Sequence, residues 1–223
     1  MKKITKLLPI ALALLLISPA FAEGVSHDPA SQTSNYSLTL DPFLDIQKLS
    51  EKVTTTVTFD ENYANLNLNE ALSSNFRVYT NDAEQKLYLY AAAGDIPAKD
   101  APALYGEKDA LKLIFANTSN AGGSVKATAE DIKAVVSTPQ QSKNAFALDL
   151  KPTYKMATIT PNGAISDPTA TFEEGTGVVT YSMQNGIYDF NYITGLKAVD
   201  SSFNTYDTKG VYKATLTLSK ATI

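Results

Sequence analysis

Of the side chains that carry most enzyme chemistry, this chain has one histidine, His27, and no cysteine. An imidazole serves as general base or zinc ligand only where packed neighbours hold it. His27 stands instead in a polar stretch, Glu23 to Asn35, with Asp28-Pro29 and a Ser/Thr/Gln run. Thiol catalysis and thiolate metal centres are excluded by composition. Paired carboxylates remain. Glu173 and Glu174 adjoin one another before Gly175, but neighbours on a strand point to opposite faces and do not converge on one bond. Asp41 and Asp45 flank Pro42-Phe43-Leu44 and could face each other. Asp60-Glu61-Asn62 is acidic, yet it lacks the alternating oxygen ligands and the glycine of a calcium loop. Glu173, Glu174, Asp41 and Asp45 read as solvated turn acids, and there is no Gly-rich phosphate loop. The expectation is a protein without a catalytic, metal or cofactor site.

Twelve tyrosines and no tryptophan offer a different chemistry. Tyr88 and Tyr90 share one face of an alternating segment, and Tyr188 and Tyr192 are likewise an even number apart. Such a face stacks on sugars or contacts a protein; its commoner use is at sheet rims with wet hydroxyls.

The elements that must position these groups are strands. Tyr36, Leu38 and Leu40 alternate with Ser37 and Thr39, Leu66 and Leu68 with asparagines, and Leu87 and Leu89 with Tyr88 and Tyr90. Val53 to Phe59, Phe76 to Thr80, Leu111 to Ala116, Ala145 to Leu150, Tyr154 to Thr160, Val178 to Met183, Ile187 to Ile193 and Val211 to Leu218 have the same period-two character. Turn signals separate them. Asn185-Gly186 between two such runs predicts a two-residue hairpin, and Ala91 to Pro102 reads as a long loop. Thr128 to Val136, with Thr128 as cap and Asp131 three places on, predicts one short helix, and Asn69 to Ser73 a single turn. The fold class is all-β: an antiparallel, immunoglobulin-like sandwich with little helix.

Lys2, Lys3 and Lys6 precede an apolar run, Leu7 to Ile17, and then Ser18-Pro19-Ala20-Phe21-Ala22. A basic start, a short apolar run and an A-x-A end predict a signal peptide over residues 1–22, cleaved after Ala22. Residues 23–35 then form a mobile tail and 36–223 a single sandwich domain, exported from the cytoplasm. Losing three lysines and no acids moves the net charge from −4 to −7. That balance argues against nucleic acid and against an anionic membrane surface, both of which demand clustered Lys and Arg.

The two chain ends carry the sharpest pattern. Tyr36, Leu38 and Leu40 give one apolar face after a flexible arm, and Tyr212, Ala214, Leu216 and Leu218 give another in the last strand. An incomplete sandwich exposes a groove that a neighbour's N-terminal strand fills with ladder hydrogen bonds and alternate side chains. Each end, taken alone, is also compatible with an ordinary self-contained sandwich.

Leu38-Thr-Leu-Asp41-Pro42-Phe-Leu-Asp45-Ile46 resembles the Asp-Pro-x-x-Asp segment after the donor strand of colonisation-factor pilins, the alternate chaperone–usher class of enteric bacteria. Phe76-Arg-Val-Tyr-Thr80-Asn81-Asp82-Ala83-Glu-Gln-Lys86-Leu-Tyr-Leu89 is similar to that family's strand, turn and returning strand, and Gly210 to Leu218 to its terminal strand. Nothing between Leu89 and Gly210 carries the resemblance. It implies a fimbrial subunit on the surface of a Gram-negative cell, polymerised by donor-strand exchange. Tyr36, Leu38 and Leu40 would be the donor residues, and Tyr212, Ala214, Leu216 and Leu218 the subunit and chaperone edge. The implied partners are other copies of itself or related pilins, a periplasmic chaperone, an outer-membrane usher, and a host glycan or protein. The alternative from another class is a monomeric secreted or periplasmic β-sandwich module that binds glycan or protein.

Overall fold

The alternating segments become strand ladders in the computed structural model, which describes residues 36–59, 65–119, 125–139, 144–158, 166–199, 203 and 209–223. In chain order the elements are β1 (Leu44–Lys52), β2 (Val57–Phe59), β3 (Leu66–Leu68), β4 (Ser73–Thr80), β5 (Lys86–Ala93), β6 (Leu104–Glu107), β7 (Ala110–Asn117), α1 (Ala129–Ser137), β8 (Ala145–Thr158), β9 (Thr169–Glu173), β10 (Val178–Ser182), β11 (Gly186–Ala198) and β12 (Tyr212–Ser219). All ladders are antiparallel, along the path β1-β4-β11-β8-β7-β12-β5-β10-β9, with β3 beside β11, β2 beside β3 and β6 beside β7. The protein is all-β and sandwich-like.

Period two decides which side chains go in. In β5, Leu87, Leu89, Ala91 and Ala93 are buried while the residues between them are half-buried. β4 buries Phe76, Val78 and Thr80, and β11 buries Tyr188, Phe190, Tyr192 and Thr194. The two halves of the path meet through aromatic rings. Tyr181 of β10 lies 5.0 Å from Phe190 of β11 and 5.2 Å from Tyr154 of β8, centroid to centroid. The Tyr192 hydroxyl donates to that of Tyr181 at 3.2 Å, wholly buried. Burial pushes both phenols well above the ordinary tyrosine range.

The helix forms where expected, with Thr128 as N-cap and a capping box closed by Asp131. It buries Ile132 and Val135. Several expectations change. Asn185-Gly186 is no hairpin: β10 pairs with β5 and β9, and β11 with β4, β8 and β3. Both edges of β10 are taken, so the chain passes to the facing half, bringing Tyr181 and Tyr188 into the core from opposite sides. Ala91–Ala93 are strand rather than loop, because small buried side chains pack there against the partner sheet. Tyr154–Thr158 joins Ala145–Leu150 as one strand, β8, running through Pro152 beyond the last β7 pair at Leu150. Asn69 to Ser73 forms no helical turn; Ser73 opens β4. The first strand begins at Leu44, where β4 offers a ladder, and Tyr36–Leu40 belongs to no strand. The expected signal peptide, tail and His27, and Asp60-Glu61-Asn62, lie outside the described residues.

Candidate functional site

The predicted edge residues Tyr212, Ala214, Leu216 and Leu218 come together as the inward row of β12, and all four pack against the core. The strand is seated from its first residue. Thr118 donates its backbone N–H and its hydroxyl to the Val211 carbonyl at 2.9 and 3.0 Å, and Val211 N–H donates to Ser119 Oγ at 3.3 Å. Behind them Asn117, 2% exposed, accepts from Ser119 N–H and O–H at Oδ1 and donates from Nδ2 to the Lys209 carbonyl. Gly210 lies against this cluster so closely that any Cβ there would overlap the Asn117 carboxamide.

From that anchor β12 changes partner. Tyr212 and Lys213 pair with β7, and Ala214–Ser219 with β5. Val211 and Lys213, two apart and therefore turned to the same edge, give their carbonyls to Thr118 and to Gly94. One edge of the strand thus serves β7 and then β5. Along Ala214–Ser219, about 20 Å of strand, the opposite edge carries no ladder among the described residues.

The consequence appears in burial. In β5 the four inward residues are at most 1% exposed. In adjacent β12, Ala214 and Leu216 remain half-buried, and only Leu218 reaches 9%. Among the described residues, cover of the core ends at β12.

Contacts divide the chain into two units, Met1–Leu40 and Asp41–Ile223. In the first, Tyr36, Leu38 and Leu40 are 95, 95 and 77% exposed, and no ladder among the described residues includes them. The second begins with a clamp. Asn81, in the turn after β4, accepts at Oδ1 from Phe43 N–H at 2.7 Å and donates from Nδ2 to the Asp41 carbonyl at 3.0 Å. The Thr80 hydroxyl accepts from Asp82 N–H at 3.1 Å, and Asp82 Oδ1 from Glu84 N–H at 2.9 Å, so the Thr80-Asn81-Asp82 turn is internally braced.

The remaining sequence candidates fall elsewhere. Glu173 closes β9 with its carboxylate on the Thr176 hydroxyl, and Glu174 is exposed in the following turn. Asp45 accepts from Gln47 Nε2 on the exposed face of β1. Tyr188 and Tyr192 are fully buried and offer no stacking face. Tyr88 and Tyr90 are half-buried on the outer face of β5, in register with Thr180 and with Ser219 and Thr217. Among the described residues no group of three His, Asp or Glu side chains could hold a metal ion.

Sequence reasoning missed the Asn117-Thr118-Ser119 seat and the Asn81 clamp. Their signal was three polar residues closing an apolar strand and an Asn-Asp turn, but the partners lie 92 and 38 residues away for Val211 to Ser119 and Phe43 to Asn81. Among the described residues the arrangement leaves one edge of β12, from Ala214 to Ser219, without a ladder. No protein-family model matches the chain, and no curated protein matches it.

Proposed function

We propose that this chain is an exported structural subunit of a surface fimbrium, joined to its neighbours by donated strands. The observation that carries the reading is the edge of β12. Its inward row stops short of full burial, and one side of its backbone from Ala214 to Ser219 has no ladder among the described residues. An open, apolar edge of this length recruits another strand, in order or in aggregation. The chain brings a suitable one in Tyr36-Ser-Leu-Thr-Leu40, which alternates like β12 and spans about 17 Å when extended. The resemblance to colonisation-factor pilins at these same two ends supports the reading, together with the chaperone and usher it implies.

Deleting residues 23–40 tests it. The shortened chain should remain a folded monomer when a periplasmic chaperone is present and should form no polymer. Polymers of native length from that variant would refute the donor assignment.

The half-buried Tyr88 and Tyr90, beside Thr180, Thr217 and Ser219, favour a second reading, a monomeric module for glycan or protein. Size-exclusion chromatography of processed chain made without a chaperone separates the two. A reversibly folding monomer favours the module, and aggregates or detergent-stable ladders favour the subunit.

A further inference from the structure

Given strand donation, the geometry of β12 leaves few ways for the arm of a second copy to lie on it, and the side chains choose among them. Because Val211 and Lys213 turn their carbonyls to the occupied edge, the N–H and C=O groups of positions 214, 216 and 218 face the free edge. An antiparallel arm therefore makes its hydrogen-bonded pairs at those positions. Directly opposed residues share a face, so Ala214, Leu216 and Leu218, which pack on the core, must meet the arm's apolar residues. The allowed registers then differ by steps of two.

We propose that the arm of a second copy pairs with β12 in one register, with Leu40, Leu38 and Tyr36 opposite Ala214, Leu216 and Leu218, fixed by Asp41 against Lys213 and Phe43 against Val211. The outer row is then complementary at every place: Ser37 with Thr217, Thr39 with Thr215, an acid with a base, and an aromatic with a β-branched residue. Each is a pair type that stabilises neighbouring strands. Phe43 and Val211 are 48 and 56% exposed in the single chain, so both gain cover. Lys213 lies near Asp95, but that carboxylate is bound to Lys126 at 2.9 Å. Pro42 falls opposite Tyr212, where its missing N–H leaves out one hydrogen bond of the ladder.

Neighbouring registers lose these matches. Slid two residues one way, Asp41 faces Val211 and Phe43 faces Lys209. Slid the other way, Asp41 faces Thr215, Phe43 faces Lys213 and Tyr36 faces Lys220.

The absence of cysteine makes the test direct. Three full-length double variants, expressed in the native cells, pair Thr39→Cys with Thr215→Cys, Lys213→Cys or Thr217→Cys. Opposed residues at a non-hydrogen-bonded site lie about 4.5 Å apart between Cα atoms, within disulfide range, while diagonal neighbours at about 7–8 Å fall outside it. The expected result is a ladder of covalent multimers on a non-reducing gel from the Thr215 variant, several times stronger than from the others. In that background Asp41→Lys should cut ladder yield at limiting oxidant roughly twofold to fivefold, and adding Lys213→Glu should restore it. A ladder chiefly from the Lys213 or Thr217 variant overturns the register and leaves strand donation standing. No multimers from any variant, or only intramolecular cross-links, overturns donation to β12 as well. Yield indifferent to the charge reversal removes the Asp41–Lys213 contact from the proposal.

Discussion

Replacing Gly210 by alanine tests whether β12 is seated from its first turn. A Cβ at this position would lie 2.5 Å from both Asn117 Nδ2 and Ser119 Oγ and would overlap Asn117 Oδ1. None of these atoms can retreat cheaply. Asn117 is 2% exposed, and its Oδ1 accepts two hydrogen bonds from Ser119, at 3.0 and 2.9 Å. Moving the carboxamide aside loses those two bonds, each about 1 kcal/mol net, and leaves a buried amide short of partners. The expected destabilisation is about 2–4 kcal/mol, or a fall of about 1–2 M in the urea midpoint at a slope near 2 kcal/mol per molar. The chain has no tryptophan, so tyrosine fluorescence follows the transition. A second comparison isolates the cause. In an Asn117→Ala background the carboxamide is gone and only Ser119 Oγ remains in the way, so Gly210→Ala should then cost about half as much or less. A midpoint unchanged in the native background, or an equal loss in both, would refute the reasoning.

Other substitutions probe the core and the turns. Tyr192→Phe removes one partner of the buried hydroxyl pair and leaves Tyr181 short of a partner, costing about 1–2 kcal/mol; the double variant with Tyr181→Phe should cost less than the sum of the singles in urea unfolding. Burial raises Tyr181 and Tyr192 and pushes Tyr105 up to about 12. The unfolded chain therefore releases protons near pH 10 that the folded chain keeps, so stability is full below pH 10 and falls as pH rises toward the folded values. Urea midpoints and tyrosinate absorbance measured together should show this, with a shallower fall in Tyr192→Phe. Gly177→Ala places a Cβ 2.6 Å from that of Pro102 and 2.7 Å from the Leu104 carbonyl oxygen, at a φ of +64°; a loss of about 1–3 kcal/mol is expected in thermal unfolding.

Most strands were legible because period two survives in them, but β1, β6 and β9 were not foreseen and Tyr36 to Leu40, expected as a strand, forms none. Leu87 to Leu89, Phe76 to Thr80 and Ile187 to Ile193 each bury the residues that alternation assigns inward. How the strands connect was not legible. Asn185-Gly186 has the composition of a tight hairpin, yet a turn sequence reports local backbone preference only, and the neighbours competing for β10 are remote in the chain. Ala91 to Ala93 looked like a loop because alanine alternates with nothing; the segment is held by its ladder with Ala214 to Leu216 of β12 and by the Ala103 N–H donated to the Ala91 carbonyl.

The candidate site divides along the same line. Tyr212, Ala214, Leu216 and Leu218 were identifiable as one face of a terminal strand, and they do line the core. Alternation, however, records faces and is silent about edges. A strand flanked on both sides and one flanked on a single side carry the same pattern, because backbone groups on either edge belong to every residue type except proline. The edge became visible only through two carbonyls. Val211 turns to Thr118 and Lys213 to Gly94 along one side, and among the described residues no ladder runs along the other from Ala214 to Ser219. Once the edge is known, the sequence becomes informative again. Parity fixes which arm residues must face inward, and the outward residues Asp41, Phe43, Lys213 and Val211 distinguish one register from those two residues away.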